Sequence, residues 1–159
     1  MGNIFKIKNF YIIIFAISLS SLLIALYIEF FLGFKPCKLC TYQRIPYLLA
    51  IFTTFFGISY YKNLFWLYIL LIIFFSSVLI SGYHLGIEQG FFEEFSGCKA
   101  NNLDITNKND LLKILETEPK SCKEVEFSIF GLSLASINFL LSSVIFILIA
   151  KILLNEKNR

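Results

Sequence analysis

Two cysteines three positions apart, Cys37 and Cys40, are the residues whose spacing first suggests chemistry. They stand in the stretch FKPCKLCTYQR, a short polar gap in an otherwise apolar chain, and Arg44 follows four positions after the second cysteine. A disulfide between residues this close gains little stability from chain entropy, whereas the spacing is usual for reversible thiol–disulfide exchange. The pair therefore favours redox chemistry over a static structural bridge.

The two other cysteines, Cys98 and Cys122, lie in a second polar region, and no cysteine falls in an apolar segment. A buried structural cysteine would be at home in an apolar helix as a small hydrophobic residue. A four-cysteine zinc site usually has two close pairs, but Cys98 and Cys122 are far apart in the sequence. Disulfide chemistry is therefore favoured over a metal site, although four cysteines still allow three pairings.

Positive charge near the close pair would favour the reactive thiolate, because cationic neighbours lower a thiol pKa below its free value of about 8.5. Lys38 and Arg44 supply such charge. If a helix follows Pro36, that proline would take the first helical position and Arg44 would lie one turn beyond Cys40. A second helix could instead start at Pro46. At the membrane boundary, Arg44 is either an interfacial anchor or a donor to a lipid-soluble quinone.

The composition places this chemistry at a membrane, since 57% of the residues are hydrophobic and 18% are aromatic. A spanning helix needs about 20 mainly apolar residues, and four segments approach this length: 10–31, 45–61, 64–83 and 130–154. A soluble bundle would show a polar helix face, which the segment YILLIIFFSSVLI lacks. The first segment is too long for the apolar core of a signal peptide.

We therefore predict an all-α membrane protein, a four-transmembrane-helix bundle that forms a single membrane domain over residues 1–159. The two loops, 32–44 and 84–129, would face the same side and would together hold every cysteine. Lysine and arginine counts do not decide the orientation, but Lys62 sits where a cytoplasmic turn is expected. Because disulfides suit an oxidising compartment, we predict extracytoplasmic cysteine loops and cytoplasmic termini.

These residues resemble the DsbB family, membrane quinone reductases that regenerate the periplasmic dithiol oxidase DsbA. The resemblance rests on PCKLCTYQR in the first loop, GYHLGIE at the end of the third helix, the spaced cysteine pair, and FGLSLASIN before the fourth helix. It implies a multi-pass protein of the bacterial inner membrane with periplasmic cysteine loops. The implied cofactor is ubiquinone or menaquinone, and the implied partner is a DsbA-like thioredoxin-fold oxidase, with no metal and no nucleic acid.

The resemblance also implies a role for each cysteine. Cys37 and Cys40 match the quinone-linked pair, with Cys40 as the thiolate facing the ring and Arg44 as its quinone-binding neighbour. Cys98 and Cys122 match the pair that oxidises the partner, and Cys98 would form the mixed disulfide. A transient bond between the loops is expected to join Cys37 to Cys122.

Three further residues have more than one interpretation. His84, the single histidine, is either an interfacial hydrogen-bonding residue or a residue beside the quinone, and Glu88 either orients it or is solvated. Glu29 is favoured at the interface over a partner inside the bundle. For the whole chain, the alternatives are a DsbI-like sister oxidase with other substrates and a scaffold whose disulfides only staple its loops.

Overall fold

A computed structural model describes residues 2–94, 121–123, 128–129 and 131–157 of the chain. These residues form four long helices: α1 (Gly2–Phe30), α2 (Lys38–Ser59), α3 (Phe65–Glu88) and α4 (Leu134–Lys157). Two short antiparallel strands, β1 (Ser128–Ile129) and β2 (Leu132–Ser133), lie just before α4. The described chain is therefore helical, as predicted, apart from this ribbon. Its turn requires Gly131, whose φ of 80° is rarely adopted by other residues.

Three helical segments within the described ranges are long and apolar enough to cross a membrane: Ile7–Phe30, Phe65–Glu88 and Leu134–Lys157. The sequence predicts four such spans, and α2 is the long helix that is not among the three. Its first turns carry Lys38, Gln43 and Arg44, which lower its apolar character. Cys40, Gln43 and Arg44 therefore lie in the least apolar of the four helices.

The helices pack in chain order, with α1 against α2, α2 against α3, and α3 against α4. Large side chains at these contacts are fully buried, among them Tyr11, Leu67, Leu70, Phe74 and Ile149. The outer faces carry exposed large apolar residues, including Phe52, Phe55, Ile72, Leu79, Ile147 and Leu154. Soluble proteins rarely expose so much contiguous apolar surface, so this belt is typical of a lipid-facing bundle.

Hydroxyl groups occupy part of the bundle interior. Ser77 of α3 and Ser142 of α4 are both fully buried, and their oxygens are 2.8 Å apart. Thr54 donates to the carbonyl of Ala50 at 2.7 Å within α2. Small polar side chains let apolar helices approach closely while satisfying one another, which is how helices commonly associate in membranes.

Helix α2 begins at Lys38, earlier than the predicted span at residue 45. Cys37 is its N-cap, with extended backbone angles, and the Cys37 sulfur accepts the backbone N–H of Cys40 at 3.1 Å. Pro36 therefore precedes the cap, and the prediction that it takes the first helical position is wrong. Pro46 lies inside α2 and does not start it. One continuous helix thus carries Cys40 and Arg44, and Cys37 is the N-cap of that helix.

A close contact between α1 and α2 gives a stability prediction. An alanine Cβ at Gly57 would lie 2.6 Å from Cε1 of Tyr11, whose ring is fully buried. Alanine improves helix propensity by about 1 kcal/mol, but overpacking typically costs about 1–3 kcal/mol. We expect Gly57→Ala to lower the melting temperature in detergent, with the exposed Ser59→Ala as the control. A higher melting temperature for Gly57→Ala would contradict this packing.

Candidate active site

The close cysteine pair lies at the mouth of the bundle, where α2 begins. Cys37 and Cys40 are free thiols, and their sulfur atoms are 2.7 Å apart. A disulfide bond is about 2.05 Å long, so bonding needs a movement of less than about 1 Å. Cys37 is buried, with 6% exposure, whereas Cys40 is half-buried. The pair is therefore positioned for reversible disulfide formation.

The surroundings of Cys37 favour its thiolate. The side-chain hydrogen bond with Cys40 is the main cause that lowers the pKa of Cys37 to about 5, against the opposing effect of burial. His84 adds to the lowering, with its Nε2 atom 3.7 Å from the Cys37 sulfur, as does the backbone N–H of Cys40. These donors converge on Cys37, so we assign the negative charge to Cys37 and the remaining proton to Cys40.

This charge assignment applies to the pair as two free thiols. The family resemblance assigns the quinone-facing thiolate to Cys40, which refers to a step with a bound quinone. That assignment stays a prediction, because the described geometry concerns the dithiol alone.

His84 is held near the end of α3 by partners on both ring nitrogens. Its exposure is 3%, its Nδ1 lies 2.9 Å from Nε2 of Gln43, and its Nε2 lies 3.7 Å from Oε1 of Glu88. The Gln43 Oε1 atom in turn accepts from Nδ2 of Asn138 at 2.9 Å. Of the two interpretations of Glu88, the structure favours the one in which it helps to orient His84.

Glu88 also joins α3 to the start of α4. The Ser133 hydroxyl donates to Oε2 of Glu88 at 2.5 Å, and the Ser133 oxygen caps α4 by accepting the backbone N–H of Ser136 at 3.1 Å. A carboxylate at a helix N-terminus is favoured by the helix dipole. Glu88 therefore fixes the site's two later helices against each other.

Cys122 is brought to the same place from the distant polar region. It is fully buried and disulfide-bonded, and its sulfur, the Cys37 sulfur and a His84 ring nitrogen all lie within 4.8 Å of one another. Cys98 lies outside the described residues. Such donors could suit zinc as thiolates, but the Cys122 sulfur is already in a disulfide bond. The cluster is therefore better suited to disulfide exchange than to holding a metal.

A cavity of about 320 Å³ opens beside the cysteine pair. The polar residues of its wall include Glu29, Cys40, Arg44 and His84, and the apolar residues include Leu22, Ala25, Ile28, Leu134 and Leu141. Arg44 Nη1 forms an ion pair with Oε2 of Glu29. The sequence favoured an interfacial Glu29, but the structure gives it a partner inside the bundle. Small-ligand sites usually combine apolar walls with a few such polar groups.

The sequence motifs contain site residues that the sequence analysis did not single out. Gln43 lies in PCKLCTYQR and Asn138 ends FGLSLASIN, yet neither was proposed as a site residue. The signal available was the helical position of Gln43, one turn after Cys40 and on the same side of α2. Nothing in the local sequence indicated that a residue of α4 would contact it.

Comparison with known proteins gives the family. The family described as disulfide bond formation protein DsbB matches residues 7–152, nearly the whole chain. This chain belongs to the DsbB family. A relative from Rickettsia prowazekii (strain Madrid E), named uncharacterized protein RP370, is 27% identical over 161 residues, which cover 97% of this chain and 91% of the relative. The family resemblance predicted from the motifs is confirmed.

Membership has consequences for the activity and the setting. DsbB proteins are membrane proteins of disulfide bond formation, which fits the apolar helices of this chain. A disulfide oxidoreductase needs closely spaced cysteines that exchange bonds. Cys37, Cys40 and Cys122 are closely spaced in this structure.

The low pKa of Cys37 predicts the pH dependence of the reduced protein. We expect the thiolate absorbance band of the reduced, quinone-free protein to appear with a midpoint near pH 5. A cysteine whose pKa is lowered on folding contributes stability above its unfolded pKa of about 8.5 and loses that contribution as the pH falls through the folded pKa. The thiolate should therefore be present at neutral pH and lost in acid.

The matched variants are Cys37→Ser and His84→Phe. Cys37→Ser should remove the low-pH transition, and His84→Phe should move its midpoint upward because a donor to the thiolate is lost. A single transition near the free-thiol pKa in the unsubstituted protein would contradict the assignment.

Proposed function

We propose that this DsbB-family protein reoxidises a periplasmic DsbA-like dithiol oxidase and passes the electrons to ubiquinone or menaquinone. The observation that supports this function is that the Cys37–Cys40 pair lines the cavity and that the Cys37 sulfur lies within 4.8 Å of the Cys122 sulfur. A dithiol placed in this way can receive electrons from one disulfide and deliver them to a ligand in the cavity. A disulfide that only stabilises the fold would need neither a nearby third cysteine nor an adjacent cavity.

Electrons enter at the second cysteine pair. The partner's thiolate attacks Cys98 of a Cys98–Cys122 disulfide, and the partner's other thiol then releases the partner as a disulfide. Cys98 and Cys122 are left as thiols, having gained two electrons and two protons. We propose Cys98 as the bonding partner of Cys122 because the family resemblance implies this pair.

Transfer to the first pair follows by the same chemistry. The Cys122 thiolate attacks Cys37 of the Cys37–Cys40 disulfide, so Cys37 becomes bonded to Cys122 and Cys40 leaves as a thiolate. Cys98 then attacks Cys122, which restores the Cys98–Cys122 bond and leaves Cys37 and Cys40 reduced. Sulfur atoms of Cys37 and Cys122 within 4.8 Å support this exchange, because it needs only a small movement.

The cavity residues fit a quinone, which when bound would supply the acceptor for two electrons and two protons as Cys37 and Cys40 form a disulfide. Its apolar wall suits a ring carried on a lipid-soluble tail. Arg44 offers guanidinium N–H donors beside Cys40, and Glu29 holds it through an ion pair that occupies only part of the donor set. His84 lines the same cavity and keeps its ring beside Cys37.

The proposed topology has four membrane spans in a single domain, with α2 as the fourth span beside the three apolar ones. Both termini lie in the cytoplasm, and the cysteine-bearing loops lie in the periplasm. The end of α1, the start of α2, the end of α3 and the start of α4 all contribute to the site. This alternation supports helices that cross the membrane in opposite directions, with the site at one mouth.

The division of labour between the pairs predicts what single substitutions do. We expect Cys122→Ser, mixed with the oxidised partner and quenched with acid, to accumulate a mixed disulfide between Cys98 and the partner, because the resolving thiol is missing. Non-reducing gels with mass spectrometry identify the adduct. Cys98→Ser is the matched control and should form none.

Cys40→Ser completes this test from the other side. It should abolish reoxidation by added quinone while the second pair still oxidises the partner once per molecule. An adduct on Cys37, with Cys98 dispensable for turnover, would contradict this order and favour the DsbI-like alternative. Absence of quinone reduction by the unsubstituted protein would favour the scaffold.

Arg44 gives a separate prediction for the quinone. Arg44→Lys keeps the charge but removes the planar fork of donors, so the substitution is not conservative. We expect it to raise the KM for quinone by about tenfold, equivalent to the loss of one hydrogen bond of about 1.4 kcal/mol, and to leave thiol exchange with the partner unchanged. The control is Lys151→Arg, the opposite substitution at an exposed position of α4, which should leave the KM for quinone unchanged. Unchanged quinone kinetics would make Arg44 an interfacial anchor.

A further inference from the structure

A chain of side-chain hydrogen bonds runs from the bundle interior to His84. The Tyr47 hydroxyl lies 2.5 Å from Oδ1 of Asn138, Asn138 Nδ2 lies 2.9 Å from Oε1 of Gln43, and Gln43 Nε2 lies 2.9 Å from Nδ1 of His84. The chain crosses from α2 to α4, returns to α2 and ends on α3. It reaches the imidazole on the side opposite to Cys37, whose sulfur faces Nε2.

The direction of this chain is set at both ends. At the inner end, the hydroxyls of Tyr47 and Ser142 both donate to Oδ1 of Asn138, since an amide oxygen can accept two hydrogen bonds. At the outer end, Nε2 of His84 faces a carboxylate oxygen of Glu88 and the sulfur of Cys37. A carboxylate and a thiolate only accept, so Nε2 must carry a proton.

With the inner end fixed, each amide has one orientation. Asn138 turns its Nδ2 towards Gln43, and Gln43 turns its Nε2 towards His84. The Nδ1 atom of His84 then accepts a hydrogen bond and cannot carry a proton. In a neutral imidazole, one nitrogen donates and the other accepts, and the partner of one determines the other.

We propose that Asn138 and Gln43 are positioning residues that hold His84 as the neutral tautomer with its proton on Nε2, directed at Cys37. The imidazole is then a fixed N–H donor to the Cys37 sulfur through every exchange step. The groups that face it are Cys37, Glu88 and Gln43, together with a backbone hydrogen bond to Cys122. This inference rests on the proposed function only in treating Cys37 as a reacting thiol, since the chain itself involves neither quinone nor partner.

The proton positions can be read directly, because His84 is the single histidine of the sequence. Nitrogen-15 NMR of the histidine-labelled, reduced, full-length protein in detergent at mildly alkaline pH reports only this ring. We expect the signature of a protonated Nε2 and an unprotonated Nδ1. A protonated Nδ1 in the unsubstituted protein would overturn the proposal.

Two substitutions test the amide chain. Gln43→Met keeps the length of the side chain and removes its donor, so the tautomer should become mixed. Below pH 5, the thiolate absorbance of Cys37 should fall by up to about twofold, because an evenly mixed tautomer directs the Nε2 proton at Cys37 in about half of the molecules. Asn138→Asp offers only acceptors, so Gln43 must reverse its amide and present its oxygen to His84. That variant should place a proton on Nδ1.

Controls with the same chemical changes are available at exposed sites. Gln89→Met follows the end of α3, and Asn155→Asp lies on α4; both should leave the imidazole signals and the Cys37 titration unchanged. If Gln43→Met and Asn138→Asp also leave both readouts unchanged, the chain has no positioning role. Failure of quinone reduction with the expected nitrogen signals would contradict the proposed function and leave this inference standing.

Discussion

One hydrogen bond, from the backbone N–H of Cys40 to the sulfur of Cys37, both starts helix α2 and holds the reacting pair together. An N-cap needs a side-chain acceptor for an otherwise unsatisfied N–H group. Here that acceptor is a sulfur atom instead of the usual oxygen, and the atom that caps the helix is the atom for which we propose disulfide exchange. The helix start therefore fixes where the thiolate lies, and the donors that stabilise the cap also stabilise the charge.

The rest of the site depends on this cap because α2 carries the residues that follow it. Gln43 and Arg44 lie about one turn beyond Cys40, and Tyr47 lies a further turn along. Together they contact all three other helices: Gln43 contacts α3 and α4, Arg44 contacts α1 and Tyr47 contacts α4. A shift in the start of α2 would move all three contacts together, so the geometry of the cysteine pair and the packing of the bundle are coupled.

The sequence predicted the features that depend on nearby residues, and it did not predict the contacts between residues far apart in the chain. The spacing of Cys37 and Cys40 and the apolar helices are local patterns, and they were sufficient to identify the family. The Asn138–Gln43 contact joins residues from α4 and α2, and the Glu29–Arg44 pair joins α1 to α2, so neither has a local signal. Pro36 was misplaced because a cysteine is an unusual cap, and the ribbon before α4 was missed because two-residue strands show no periodicity.

The charges of the site are arranged to suit its place beside lipid, where an unpaired charge is expensive. Arg44 is paired with Glu29, and Glu88 lies at the N-terminus of α4 with the Ser133 hydroxyl as a donor. Around Cys37, the nearest polar groups are a backbone N–H, a thiol and an imidazole, which are dipoles when His84 is neutral. Dipoles stabilise a thiolate without adding a second full charge that must be paired again when the thiolate becomes a disulfide. If Cys37 and Cys40 alternate between thiolate and disulfide as we propose, fixed neutral donors suit Cys37, and the permanent cation Arg44 is already paired with Glu29 in the cavity wall.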